Sequence, residues 1–62
     1  MDALDAVVHE MNGKVQQLQE AIVLGQLGSY EEYRFVCGEV RGLLTAVSYI
    51  KDLKHNLENN DD

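Results

Sequence analysis

The chain has no proline and no tryptophan, a single cysteine, and only five Lys and Arg against eleven Asp and Glu. Each shortage excludes something. Without proline, no pyrrolidine ring blocks a helix anywhere along the sequence. The lone Cys37 forms no intrachain disulfide, and with His9 and His55 as the other ligand-type residues it is too scattered for a zinc site. A formal charge of −6 leaves few cations to neutralise phosphates, so nucleic acid is not an expected partner. Long hydrophobic runs are missing too. The longest uncharged run in the second half, Gly42 to Ile50, is far short of the ~20 residues a membrane span needs. The start, Met1-Asp2-Ala3-Leu4-Asp5, is acidic where a secretory signal is basic, so no such signal is expected. A free thiol then fits a reducing cytoplasm. There is no glycine-rich phosphate loop after a strand, no carboxylate pair with a histidine, and no nucleophile–base spacing. The expectation is a protein that is not an enzyme, with no cofactor, no metal, no small-molecule substrate and no membrane.

What is present favours helices. Leucine, valine and glutamate are the commonest residues, proline is absent, and 45% hydrophobic residues are enough to fold rather than stay disordered. One domain over 1–62 is the most the length allows. Below roughly 70–80 residues a single core seldom supplies more than about 3–5 kcal/mol, and disulfides, metals or oligomerisation make up the rest. The first two are excluded, so oligomerisation or docking onto something larger is expected.

Read in order, Asp2 is a plausible N-cap and Asp5 suits the positive end of a helix dipole. Leu4, Val8, Met11, Val15, Leu18 and Ile22 then recur at spacings of 4, 3, 4, 3 and 4, a heptad-type seam. Asn12-Gly13 is a hairpin-turn signal elsewhere. The seam passes through it without a change of phase, which predicts a helix-interior glycine opposite the seam, a place for a kink or a close contact. The convincing break is Leu24-Gly25-Gln26-Leu27-Gly28-Ser29. Gly25 can end a helix in the left-handed conformation. Ser29-Tyr30-Glu31-Glu32 is a capping box, with Glu32 reaching back to the cap, and Leu27 is placed to pack across it. The second seam is Tyr33, Val36, Val40, Leu43, Val47, Ile50, Lys54 and Leu57, interrupted only by Lys54.

The expected fold is therefore all-α, an antiparallel two-helix hairpin with helices at about 2–24 and 30–59, assembling into an oligomeric bundle. A turn centred near Leu27 gives every seam residue of the first helix an apolar mate, from Ile22 with Tyr33 to Leu4 with Ile50. The second helix then runs past the first, leaving roughly Asp52 to Asn59 as an overhang of about 10 Å. The end of the chain, 60–62, reads as an acidic frayed tail.

The second helix carries one face too many. At 100° per residue Phe35, Gly38, Gly42, Ala46, Tyr49 and Leu53 gather away from the seam, with Arg34, Arg41, Thr45, Ser48 and Asp52 as a polar strip. Interior glycines cost about 1 kcal/mol each relative to alanine, a cost that a close helix crossing offsets. Three assignments are open. The small-residue ladder contacts another chain, with Phe35 and Tyr49 as anchors; or it packs the first helix and the heptad seam faces the partner; or it contacts nothing. The first is the expectation, with Phe35, Gly38, Gly42, Ala46, Tyr49, Leu53 and Leu57 as the partner-binding residues. Tyr30 and Tyr33 serve equally as anchors or as a cover for the loop end. His9 and His55 fall apart in the hairpin and read as surface residues, and Cys37 reads as a small core residue bordering the seam.

Leu24-Gly25, Ser29-Tyr30-Glu31-Glu32-Tyr33-Arg34, then Gly38, Gly42-Leu43 and Ala46 together resemble a pattern in small helical proteins of tailed bacteriophages, over about Leu24 to Leu53. The resemblance implies a virion or morphogenesis component present in several copies, partnered by itself or by a larger phage structural protein. It would reside in the virion, or in the host cytoplasm during assembly. One alternative is a small acidic phage protein that inhibits a host enzyme, suggested by the charge of −6, though the acids show no regular stripe. Another is an RNA-binding dimer with the hairpin architecture of the Rop type, for which only Arg34 and Arg41 supply a basic strip.

Overall fold

The computed structural model of the chain describes residues 2–59. Two helices follow one another, α1 over Ala3–Val23 and α2 over Tyr30–Asn59, and pack side by side as a hairpin. The acidic tail expected at 60–62 lies outside the described residues.

Both ends of α1 are closed by local hydrogen bonds. Asp2 caps the start: its carboxylate accepts from the Asp5 backbone N–H at 2.8 Å, while the Asp5 carboxylate accepts from the Asp2 N–H at 3.4 Å. This is a capping box built from two aspartates, where the sequence suggested a simple cap with a dipole-favoured neighbour. At the far end Gly25 takes φ +68°, as its position predicts. The Gly25 N–H reaches the Ile22 carbonyl at 3.2 Å and the Gln26 N–H reaches the Ala21 carbonyl at 3.0 Å. Those two bonds are the 5→2 and 6→1 pair of a Schellman motif, which satisfies carbonyls that the helix end would otherwise orphan.

The loop then hands over directly to the next cap. The Ser29 hydroxyl accepts from the Glu32 N–H at 3.1 Å. Glu32 reaches back, but one residue further than a standard box, to the Gly28 N–H at 2.9 Å. A methyl group at Gly28 would stand 3.3 Å from that carboxylate, so the bare glycine leaves room for Glu32 to tie the loop as well as the helix. Leu27 is half-buried beside this cap.

Helix α1 continues unbroken through Asn12-Gly13, and a methyl group at Gly13 would meet no atom within 4 Å. The close contact allowed for at that glycine is therefore not there. The seam of α1 is the protected side: Val15 is buried, and Leu4, Val8, Met11, Leu18 and Ile22 are half-buried. On α2 Val36 and Val47 are buried, and the seam residues Val40, Leu43, Ile50 and Lys54 are half-buried, as are Cys37, Glu39 and Ala46 beside them. The hairpin thus closes on the α1 seam and on the α2 seam from Val36 to Lys54, while Tyr33, expected opposite Ile22, is 43% exposed, and Leu57 is exposed too. Its core is thin. Among the described residues Val15, Val36 and Val47 are the buried hydrophobic ones, and no large side chain is fully enclosed.

Candidate partner-binding face

The ladder is on the outside of the hairpin. Phe35 and Tyr49 are 70% and 71% exposed, although Phe35 adjoins Val36, which is 6% exposed, and Tyr49 adjoins the half-buried seam residue Ile50. A helix turns 100° per residue, so one step along α2 moves from the core to the open face. Gly38 and Gly42 are exposed, and a methyl group at either would meet nothing within 4 Å. The alternative in which this ladder packs α1 is therefore corrected: inside the hairpin, neither glycine has a steric reason to be glycine.

The seven expected partner-binding residues do not all share one surface equally. Phe35, Gly38, Gly42, Tyr49 and Leu53 run along the open side of α2. Ala46 is half-buried at the edge of that side nearest α1, and Leu57 is exposed near the end of α2. Arg34, Arg41, Thr45, Ser48 and Asp52 form an exposed polar strip beside them. The Thr45 hydroxyl donates back to the Arg41 carbonyl at 2.9 Å, a bond that quiets a polar side chain within its own helix.

Lys54 is the residue that sequence reasoning missed. By heptad spacing it interrupts the seam and falls on the expected overhang. In the structure its ammonium contacts the Asp5 carboxylate and lies 3.5 Å from that of Asp2. The stretch expected to overhang from about Asp52 is therefore not free, because Lys54 ties it back to the start of α1. The reason is directional. Side chains on a helix lean toward its N-terminus, so Lys54 leans back to the level of Ile50, where antiparallel packing brings the start of α1. The signal was present: a cation in seam phase one turn beyond Ile50, and two acids at the start of the opposing helix. The pairing holds the Asp5 carboxyl below the ordinary 3.8, chiefly by the hydrogen bond from Lys54, and raises Lys54 above its ordinary 10.5 through the same bond.

At the loop end the Tyr30 and Tyr33 rings stack with centroids 6.2 Å apart. The Cys37 side chain, one turn on, is the main influence raising the Tyr33 phenol. Tyr30 is 72% exposed, so the pair covers little of the core. Val23 and Leu24 are exposed at the same end. His55 hydrogen-bonds Asn59 at 2.8 Å within α2, and His9 lines a shallow depression on α1 with Glu10 and Lys14. Another open depression on α2 lies between Cys37, Leu44 and Tyr49. Among the described residues no three His, Cys, Asp or Glu come together as a metal site, and no helix is long and apolar enough to cross a membrane.

Comparison with protein-family models, with curated proteins and with solved structures returned no match.

Proposed function

We propose that this chain is a non-enzymatic interaction protein, a multi-copy helical-hairpin subunit that docks through the ladder face of α2. One observation carries the reading: a face with Phe35 and Tyr49 about 70% exposed flanks two glycines that have no role inside the hairpin. Large exposed aromatics beside small residues make a surface with anchors and room for a close-approaching backbone. The thin core adds to it, since three buried valines give a short chain little stability of its own.

The setting we propose is a bacteriophage particle or its assembly intermediate, on the resemblance of Leu24 to Leu53. The test is mass spectrometry of particles purified from a phage encoding the chain, with Gly42→Leu as the variant. Gly42 is exposed, so the variant keeps the helical signal of the parent hairpin. The expected outcome is several copies of the parent per particle and loss of the variant. A folded Gly42→Leu chain that incorporates as well as the parent would overturn the ladder as the docking face.

A further inference from the structure

The ladder reads the same in both directions. About Gly42, small residues stand four positions away on either side, Gly38 and Ala46, and aromatic residues stand three positions further out, Phe35 and Tyr49. A surface with that symmetry is self-complementary, which is what an isologous two-fold contact requires. Resting on the reading that this face docks, we propose that its occupant is a second copy of the chain, with α2 antiparallel to α2 and the two-fold axis crossing near Gly42.

Three observations support this occupant and this direction. The first is steric. With the axis at Gly42, the glycines meet where the backbones come closest, and each copy's Phe35 comes to the partner's Tyr49. Methyl-sized space over Gly38 and Gly42 is open in the single hairpin, so nothing of the chain itself blocks the approach.

The second is electrostatic. Arg34 and Asp52 lie on the same polar strip, near opposite ends of the ladder, and both are exposed without an ion pair among the described residues. Antiparallel two-fold packing lays equal rims together, so Arg34 of each copy comes to Asp52 of the partner subunit. Parallel packing would do the opposite at the start of α2. Glu31 stands one turn before Phe35 on the ladder side, and parallel helices would set Glu31 against Glu31. Antiparallel packing separates the two acidic starts by the length of the ladder and also opposes the helix dipoles favourably.

The third is area. A compact chain of 7.0 kDa exposes roughly 4,000 Å² by the scaling of folded monomers. This hairpin, 52 Å long, exposes 4922 Å². A slender two-helix hairpin leaves that surplus of surface outside its single seam, and a second copy laid along α2 would cover part of it.

Engineered disulfides test the direction. Cys37→Ser removes the native thiol, and Arg34→Cys and Asp52→Cys, on the rim and outside the anchors, are placed on separate chains in that background. Mild oxidation of the mixture is expected to join an Arg34→Cys chain to an Asp52→Cys chain, with little joining of like to like. Like-to-like disulfides would overturn the antiparallel arrangement. A charge exchange that introduces no thiol gives a second reading. By sedimentation, Arg34→Asp alone and Asp52→Arg alone each weaken self-association roughly tenfold, and the double variant restores it. A chain that stays monomeric at high concentration overturns the second copy as occupant, and a double variant no stronger than the singles overturns the antiparallel rim pairing. If that monomer still enters particles in a Gly42-dependent way, the docking reading stands and only this inference fails.

Discussion

Lys54, near the end of α2, closes onto the carboxylate of Asp5 in the first turn of α1. The contact joins residues 49 positions apart and pins the open end of the hairpin. It also serves the α1 N-terminus, because the same aspartate belongs to the cap. Asp5 accepts from the Asp2 N–H and from Lys54 at once, so helix capping and helix pairing share one carboxylate.

That sharing gives a pH dependence with a definite sign. Asp5 has a folded pKa below its ordinary 3.8, so its contribution is present above that value and is lost as pH falls through the lowered folded value. Lys54 has a folded pKa above its ordinary 10.5, so its contribution is present below 10.5 and is lost as pH rises through the raised value. Thermal melts are expected to show a plateau between these limits and a fall at both ends. Lys54→Met should lower the plateau and remove the share of both limbs that this pair supplies. An acid limb of the same size in the Lys54→Met chain would assign it to other carboxylates.

Neighbouring residues on α2 should separate stability from assembly. Val47 is buried and Tyr49, two positions on, is open. Val47→Ala is expected to destabilise the hairpin by roughly 2 kcal/mol, from two lost methyl groups and the space they leave. That is a large part of what so small a core can supply. Tyr49→Ala should change dilute-solution stability by no more than about 0.5 kcal/mol while weakening assembly. Urea unfolding at low concentration, with sedimentation at high concentration, distinguishes the two effects.

Two interior glycines offer a similar contrast. Gly13 and Gly42 both lie within helices and both have open space where a methyl group would go. Gly13→Ala should stabilise α1 by about 1 kcal/mol and leave assembly untouched. Gly42→Ala should stabilise the isolated hairpin by a similar amount, about 1 kcal/mol, and yet weaken assembly. A Gly42→Ala chain that is both more stable and fully competent to assemble would show that close backbone approach is not needed there.

The loop is held by conformation and capping rather than by packing. No atom lies within 4 Å of a methyl group at Gly25, so Gly25→Ala should cost only the left-handed backbone strain, about 1–2 kcal/mol. Asparagine, which tolerates that conformation better, should cost less. Ser29→Ala removes the acceptor for the Glu32 N–H and should cost about 1 kcal/mol. Chemical denaturation of the three variants gives the order.

Much of this architecture is legible from local chemistry. The heptad spacing from Leu4 to Ile22 and from Tyr33 to Ile50 predicts two helices, and Gly25 and Ser29 predict where the chain turns. These signals are short in range: a backbone conformation only glycine adopts easily, a hydroxyl that caps, a side-chain period set by the helix. The cap details went further than the pattern. Which N–H Glu32 reaches depends on how Gly28 is turned, and that is a property of the folded loop.

By itself, the sequence determined that there would be two helices, one break, and an apolar surplus on α2. Two things were decided only in three dimensions. Periodicity records that α2 has two apolar faces but does not rank them. The packed hairpin puts Val36 and Val47 inside and leaves Phe35 and Tyr49 out, because a helix pair closes along one stripe and the remaining stripe stays free. Lys54 is the other. Along the chain it is a charge that spoils a hydrophobic seam; across the hairpin it meets Asp2 and Asp5, because antiparallel packing ends the apolar contact at the acidic cap of α1.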